Sequence, residues 1–210
     1  MSSTIDVFSD VSKASRSLAR RDKPLAKALE AIGKPVIRRR EGGVKGLFRI
    51  IVEQQVSVPS AQAIWKRCLD KIDCASPVAI AALDVDGLKA LGLSTPKARY
   101  VSGLAAQLVA GEFEFAALAQ MDDEEAVARL IEIKGVGPWS AAIYLLFCDG
   151  RVDIWPPKDV ALKHAYNAAS GAAFDQTELD SAASAFSPWR GVAAHILWTY
   201  YAHLKGRTPI

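Results

Sequence analysis

The amino-acid sequence predicts an all-α fold. Apolar residues recur at a helical period of about 3.6 through nearly every segment. Strand-like alternation does not persist beyond a few residues; Val36-Ile37-Arg38 and Val152-Asp153-Ile154 are the stretches that could be extended. A glycine turn, Lys134-Gly135-Val136-Gly137-Pro138, joins two segments of helical period. With 210 residues, half of them hydrophobic, the chain can bury a core as one large domain or two small ones.

The elements follow in order. Lys23 to Ile32 has a helical apolar period and stops at Gly33, while Leu47, Ile50, Ile51 and Gln54 share one face of the next helix. Ser57 is a cap for a helix with Pro59 in its first turn, whose buried face would hold Ala61, Ile64, Trp65, Cys68, Leu69 and Ile72. Ser76-Pro77 opens another helix, Asp86 a short one through Leu91, and Ser94-Thr95-Pro96 one that ends near Gly111. Asp122 caps the helix leading to Ile133, with Asp123, Glu124 and Glu125 at its positive end. A helix from Pro138 to Phe147 stops at Asp149-Gly150. The last three are expected from Asp159 to about Ala169, over Gln176–Ala185, and over Pro188–Leu204 with Ser187 as cap. No convincing repeat or low-complexity tract occurs.

The glycine turn carries the most information. Gly135 and Gly137 permit backbone angles and approaches that a Cβ would obstruct. Pro138 suits a first helical turn, where its missing N–H costs nothing. A helix-hairpin-helix of this kind aims backbone N–H groups and a helix N-terminus outward, the geometry that holds a phosphate. The same Gly-Val-Gly also closes ordinary helix pairs.

Composition narrows the classes. No run of 18 apolar residues exists and the opening Met-Ser-Ser-Thr-Ile-Asp lacks a signal pattern, so the expectation is a soluble cytoplasmic protein without membrane association. Cys68, Cys74 and Cys148 lack the spacing of a zinc or iron–sulfur site and read as reduced core thiols. His164, His195 and His203 have no partner at metal-ligand spacing and read as packing or surface groups. The net charge of +3 is uneven: residues 1–49 hold 12 Lys/Arg against 5 Asp/Glu, and the rest 14 against 18. Such basic clustering can supply the sequence-independent part of DNA affinity, although Arg38-Arg39-Arg40 reads equally as a solvated loop.

Taken together, Ile51-Val52-Glu53-Gln54-Gln55-Val56-Ser57, the hairpin, Asp159-Val160-Ala161-Leu162-Lys163 after Pro156-Pro157, and Pro188-Trp189-Arg190 running on to Trp198 resemble the helix-hairpin-helix superfamily of DNA glycosylases. The likeness is nearest to the 3-methyladenine DNA glycosylase II type and extends from about Phe48 to Trp198. The resemblance implies a two-lobed helical fold. Residues 46–148 would form a helical barrel ending in the hairpin at 130–146, and 1–45 with 149–210 a second lobe, with the active cleft between lobes. The β-rich N-terminal domain of some relatives does not fit in the residues before the motif region, so a compact form is expected. Asp159 then matches the catalytic carboxylate of a monofunctional enzyme that hydrolyses the N-glycosidic bond of alkylated purines, 3-methyladenine and 7-methylguanine, after base flipping. On residue chemistry alone Asp159 reads as well as an N-cap of the following helix, and the two roles can coexist.

The resemblance also assigns the surroundings. Trp139 stands where backbone-cutting relatives carry a Schiff-base lysine, so water is the expected nucleophile. Trp139 and Trp198 would wall the base pocket, joined by Tyr144, since Ile143 replaces a relative's aromatic; the bland reading keeps these rings in the core. Gly135, Val136, Gly137, Lys134 and Ser140 would meet the DNA backbone. Gln55 would be the wedge that fills the gap left by the flipped base, with Gln54 beside it, or Gln54 and Ser57 only satisfy helix ends. The carbonyls of Ile131, Ile133 and Val136 match a sodium or potassium site, with no cofactor required and no iron–sulfur cluster or zinc. The expected partner is double-stranded DNA with damaged bases, bound by a monomer working at the nucleoid. Two rivals remain: a same-fold glycosylase for a deaminated or oxidised base, and a noncatalytic helix-hairpin-helix DNA-binding module.

Overall fold

A computed structural model describes residues 9–208, and among them the chain is helical with no strand. These residues divide into two compact units, one spanning 40–144 and the other joining the segments up to 39 and from 145 onward. Residues 1–8 and 209–210 of the expected second lobe lie outside the described residues. Both divisions fall a few residues away from those expected at 45/46 and 148/149, for local reasons. Arg40 pairs with Glu53 and the Gly43 N–H donates to the Tyr144 hydroxyl, which binds 40–45 to the first unit. Phe147 packs edge-on against Trp198, and the Arg151 N–H reaches the Leu145 carbonyl, which binds the segment after 144 to the second.

The first unit is built from α3 (Gly43–Glu53), α4 (Val58–Lys71), α5 (Pro77–Ala82), α6 (Val85–Ala90), α7 (Thr95–Val109), α8 (Asp123–Ile131) and α9 (Pro138–Tyr144). Helix α3 is apolar on nearly every side, with Val44, Leu47, Phe48, Ile50, Ile51 and Val52 all buried, so it is the central helix. It packs against α4, α7 and α9. Ser57 caps α4 as expected, its oxygen accepting the Ser60 N–H at 3.3 Å. On α4 the seam holds Ala61, Trp65 and Cys68, whereas Leu69, one position past it, is exposed. Helix α8 opens on a complete capping box, Asp122 with Glu125. The cap of α6 is Asp84, not Asp86: Asp84 accepts the Gly87 N–H at 2.7 Å, while Asp86 pairs with Lys89. A 3₁₀ helix, Phe115–Gln120, escapes the periodicity because it is too short to repeat.

The second unit contains α1 (Ser9–Arg21), α2 (Lys23–Ile32), α10 (Val160–Ser170), α11 (Gln176–Ala182) and α12 (Arg190–Leu204). Every residue of α12 from Gly191 to Tyr200 is buried, which makes it this unit's central helix, packed by α2, α10 and α1. Helix α1 was absent from the sequence expectation because it is largely polar, with Ala14 and Leu18 buried among serines, lysine and arginines. Five residues after α9, Leu145–Asp149, form a π-helical turn, so the regular helix stops before Phe147. The final helix starts at Arg190 and Ser187 does not cap it. The Ser187 hydroxyl is spent on Asp153, and Asp153 itself accepts the Arg190 N–H at 3.0 Å, a cap supplied from 37 residues away.

That Asp153 also receives Arg190 Nε at 3.0 Å and Nη2 at 3.1 Å. Burial pushes its carboxyl upward, but the Arg190 and Ser187 hydrogen bonds outweigh burial and hold it below the ordinary 3.8. A carboxylate held low in the folded state contributes stability fully above its unfolded value and loses it as pH falls through the folded value. Replacing Arg190 with Ala is therefore expected to cost about 1–2 kcal/mol at pH 7, a figure kept low because the pair is partly exposed. Urea denaturation should show this difference above pH 4 and its shrinkage below the folded value. A difference that persists unchanged at pH 2 would remove the ion pair as its source.

Candidate functional site

In the first unit the hairpin is a short, heavily tied turn. After α8 the Ile133 N–H donates to Leu130 O, and the Val136 N–H to Ile133 O at 2.9 Å. Gly135 has φ +90°, and the Tyr100 ring from α7 lies where its Cβ would be, so glycine is required twice over. At Gly137 a Cβ would meet nothing within 4 Å, so nothing in the protein's own packing demands glycine there. The Gly137 carbonyl accepts the Ala141 N–H at 2.9 Å and begins α9.

Gln54 holds this turn in place. Its Nε2 donates to Gly135 O at 3.0 Å and to Ser140 Oγ at 2.9 Å, joining the end of α3 to both sides of the hairpin. Lys97 in turn donates to the carbonyls of Val52, at 2.8 Å, and Gln54. Burial holds the Lys97 ammonium below its ordinary value. Gln54 and Ser140, expected as wedge and backbone contacts, are thus brought together as turn supports. Gln55 differs: it is exposed and sits at φ +51°, a strained angle for a residue with a Cβ. Lys134 and Ile131 are exposed, whereas Ile133 and Val136 are buried. Tyr144 is buried with its hydroxyl on Gly43 N and its ring against Phe115. Trp139 is half-buried.

In the second unit Asp159 is 8% exposed and caps α10, accepting the Leu162 N–H at 3.0 Å. The cap reading is therefore realised, and it fixes the carboxylate at a helix N-terminus, where the peptide dipoles favour negative charge. The residue before it, Lys158, has φ +60°. Asp180 on α11 grips this approach at two points. One oxygen accepts Trp155 Nε1–H at 2.9 Å and the other the Lys158 N–H at 3.0 Å. Trp155 packs against Phe186. Asp180 had no sequence signal, being one acid on an ordinary amphipathic helix.

Trp198 lies in a buried aromatic cluster of the same unit. Its ring is 5.4 Å edge-on from Phe147 and 5.5 Å from His195, and the Arg38 guanidinium stands 5.3 Å over it. Two of the Arg38-Arg39-Arg40 run have protein partners, Arg38 covering Phe147 and Trp198 and Arg40 pairing with Glu53, while Arg39 is exposed. His195 is wholly buried, and burial, then Arg38 and Arg39, push its pKa down to about 3, so it stays neutral. Among the described residues no cluster of His, Cys, Asp and Glu could hold a metal. Cys68 and Cys74 are free thiols pushed up to about 12 and about 11, in each case first by burial. No described helix is long and apolar enough to cross a membrane.

The family model for HhH-GPD superfamily base excision DNA repair proteins matches residues 48–190. The alkylbase DNA glycosidase-like protein mag2 of Schizosaccharomyces pombe is 29% identical over 171 residues, 78% of this chain and 80% of its own. A DNA-3-methyladenine glycosylase of Bacillus subtilis is 28% identical over 121 residues, 57% of this chain and 40% of its own. The chain spans less than half the length of two Bacillus subtilis relatives it matches. The fold is that of the 3-methyladenine DNA glycosylase of Schizosaccharomyces pombe solved with abasic DNA. That structure superposes with a TM-score of 0.81 at 23% identity, over 89% of this chain and 95% of that one. A helix-hairpin-helix with its glycine turn, a capped aspartate after a Pro-Pro-Lys approach and a match across 48–190 lead to one conclusion: the chain belongs to the HhH-GPD superfamily of base excision DNA repair proteins.

Proposed function

We propose that this protein is a monofunctional DNA glycosylase that releases alkylated purines, 3-methyladenine and 7-methylguanine among them, from double-stranded DNA. The observation that carries the reading is Asp159: a carboxylate 8% exposed, fixed at the head of α10 on an approach that Asp180 holds. Breaking an N-glycosidic bond builds positive charge on the sugar, and a fixed carboxylate stabilises that charge and orients the attacking water. Trp139 supports the monofunctional part, since it occupies the position of the Schiff-base lysine of backbone-cutting relatives.

The hairpin supports DNA as the partner. The open space at Gly137, just before α9, suits a phosphate brought against the backbone. A sodium or potassium ion on the carbonyls of Ile131, Ile133 and Val136 belongs to the same reading. Ile133 O accepts one N–H and keeps a second lone pair. The strained, exposed Gln55 is the wedge. The half-buried Trp139 is the ring assigned to the extruded base, where a cationic purine gains about 1–2 kcal/mol over a neutral one. Trp198 already has the Arg38 guanidinium over its ring, and the Tyr144 hydroxyl already accepts the Gly43 N–H. The protein acts as a monomer on chromosomal DNA, in the cytoplasm at the nucleoid.

The direct test is release of free base from duplexes carrying one defined lesion. Asp159→Asn is expected to lower single-turnover release by about 10²–10³-fold or more, while binding to abasic-site DNA is kept. Full release by that variant removes Asp159 as catalyst, release confined to a deaminated or oxidised base reassigns the substrate, and no release from any lesion favours a binding module.

The two hairpin glycines separate fold from binding. Gly135→Ala should destabilise the protein by about 2 kcal/mol in urea denaturation, through its positive φ and the Tyr100 ring. Gly137→Ala should leave stability unchanged and weaken DNA binding by about tenfold in fluorescence anisotropy, the worth of one charge-assisted hydrogen bond. Equal affinity in Gly137→Ala and the parent would remove the hairpin from the DNA contact.

A further inference from the structure

The approach to Asp159 is held by a carboxylate from another element at two separate points, the Trp155 indole N–H and the Lys158 backbone N–H. Residues 155–158 are irregular, and Pro156 and Pro157 donate no N–H, so the segment cannot tie itself down by backbone hydrogen bonds. Asp180 does this from α11. Its Oδ1 accepts Trp155 Nε1–H at 2.9 Å and, more weakly, Gln176 Nε2 at 3.4 Å, and its Oδ2 accepts the Lys158 N–H at 3.0 Å. The two principal donors bracket Pro156-Pro157, so both ends of the proline pair are pinned to one carboxylate. Lys158 is at φ +60°, and the peptide that Asp180 grips is the one entering this strained residue. Lys158 leads directly into Asp159, with no free torsion between the gripped N–H and the catalytic carboxylate other than those of the two residues themselves.

We infer that Asp180 is a positioning residue for Asp159. By holding Trp155 and Lys158 it fixes the φ and ψ from which the Asp159 side chain is presented. The assignment rests on the proposed role of Asp159 in base release. Asp180 touches no reacting atom. Its effect is on where the carboxylate sits, and a displacement of about 1 Å at such a group is enough to cost about 10²-fold in rate. The chemistry of the clamp is specific to a carboxylate. Both principal partners are donors, so both oxygens must accept; an amide at position 180 would turn an N–H toward one of them.

Three variants test this: Asp180→Ala, Asp180→Asn and Trp155→Phe. The last keeps an aromatic ring in place of the indole beside Phe186 and removes the indole N–H together with part of the ring system. Single-turnover base release from DNA with one 7-methylguanine should fall by about 10–100-fold in Asp180→Ala. It should fall less in Asp180→Asn and least in Trp155→Phe, with affinity for abasic-site DNA within about twofold of the parent in all three. The decisive measurement is a double-mutant cycle with Asp159→Asn. If Asp180 acts through Asp159, Asp180→Ala has no further effect on the residual rate of Asp159→Asn. A loss of the same size in both backgrounds, or a parent-like rate in Asp180→Ala, overturns the inference while leaving Asp159 in place. Should Asp180→Ala fail to fold, Asp180→Asn and Trp155→Phe are read in the same cycle, and parent-like rates in both overturn it. Full activity in Asp159→Asn alone refutes the underlying functional reading.

Discussion

Irregular backbone carries N–H and C=O groups that a helix would have paired, and every one of them buried must find a partner elsewhere. That constraint shapes both segments to which function is assigned. At the hairpin the side chain of Gln54 serves Gly135 O and Ser140 Oγ. At the approach to α10 the side chain of Asp180 serves Trp155 and Lys158. In each case a polar side chain reaches across more than 20 residues of sequence and pairs one backbone group, the Gly135 carbonyl or the Lys158 N–H, together with one neighbouring side chain. The helices around them supply a rigid frame through two central helices, α3 and α12, buried on nearly every side. A turn fixed in this way loses little freedom when a ligand arrives, which is what a binding or catalytic loop needs.

Electrostatics in the second unit follow the same logic in part. Arg38 sits over the faces of Phe147 and Trp198, so a cation–π contact of the type expected with a cationic base is made by the protein's own guanidinium. Desolvation dominates at His195, which is wholly buried beside that charge and remains neutral. Arg151 is also buried, and its Nε meets Asp149 at 2.8 Å. Arg38 and Arg151 find their partners inside the unit, whereas both ring nitrogens of His195 are buried without a hydrogen-bond partner.

The fold was legible because its signals are local. Caps at Ser57, Ser76, Asp122 and Asp159 act within three residues, and apolar spacing marks α2, α3, α4 and α10 directly. Where reading the chain failed, the determinant was either weak or distant. Helix α1 is so polar that its few apolar positions do not stand out, and the start of α12 is set by Asp153, far away in sequence. The candidate site divides the same way. Asp159 and the glycines stand in recognisable motifs, and the double role of Asp159 was open from its cap position. The supports were invisible: Tyr100 behind Gly135, Lys97 at the end of α3 and Asp180 are ordinary residues on ordinary helices, and only folding brings them to their partners. Arg38 looked like one of three basic residues in a row, and nothing in the chain announces the ring it covers.

Two residues with a Cβ hold positive φ among the described residues, Gln55 at +51° and Lys158 at +60°, and each lies in a segment assigned a role on DNA. The left-handed region costs such a residue about 1–2 kcal/mol, which glycine would avoid. The neighbouring hydrogen bonds decide whether the cost can be met. Lys158 donates to a carboxylate that also holds Trp155, and bonds to a charged group are worth about 1.5–3 kcal/mol each. The carbonyls of Val52 and Gln54 just before Gln55 accept from the Lys97 ammonium. In both places the charged support outweighs the strain, so the turns are stable as they stand. Since support and strain occur together twice, the angle is part of the design of each turn. It sets the direction in which the chain leaves Gln55 toward α4 and enters Asp159 at the head of α10. A glycine at either position would adopt the same angle but would also populate others, and the residues that follow would lose the single direction that the hydrogen bonds now enforce.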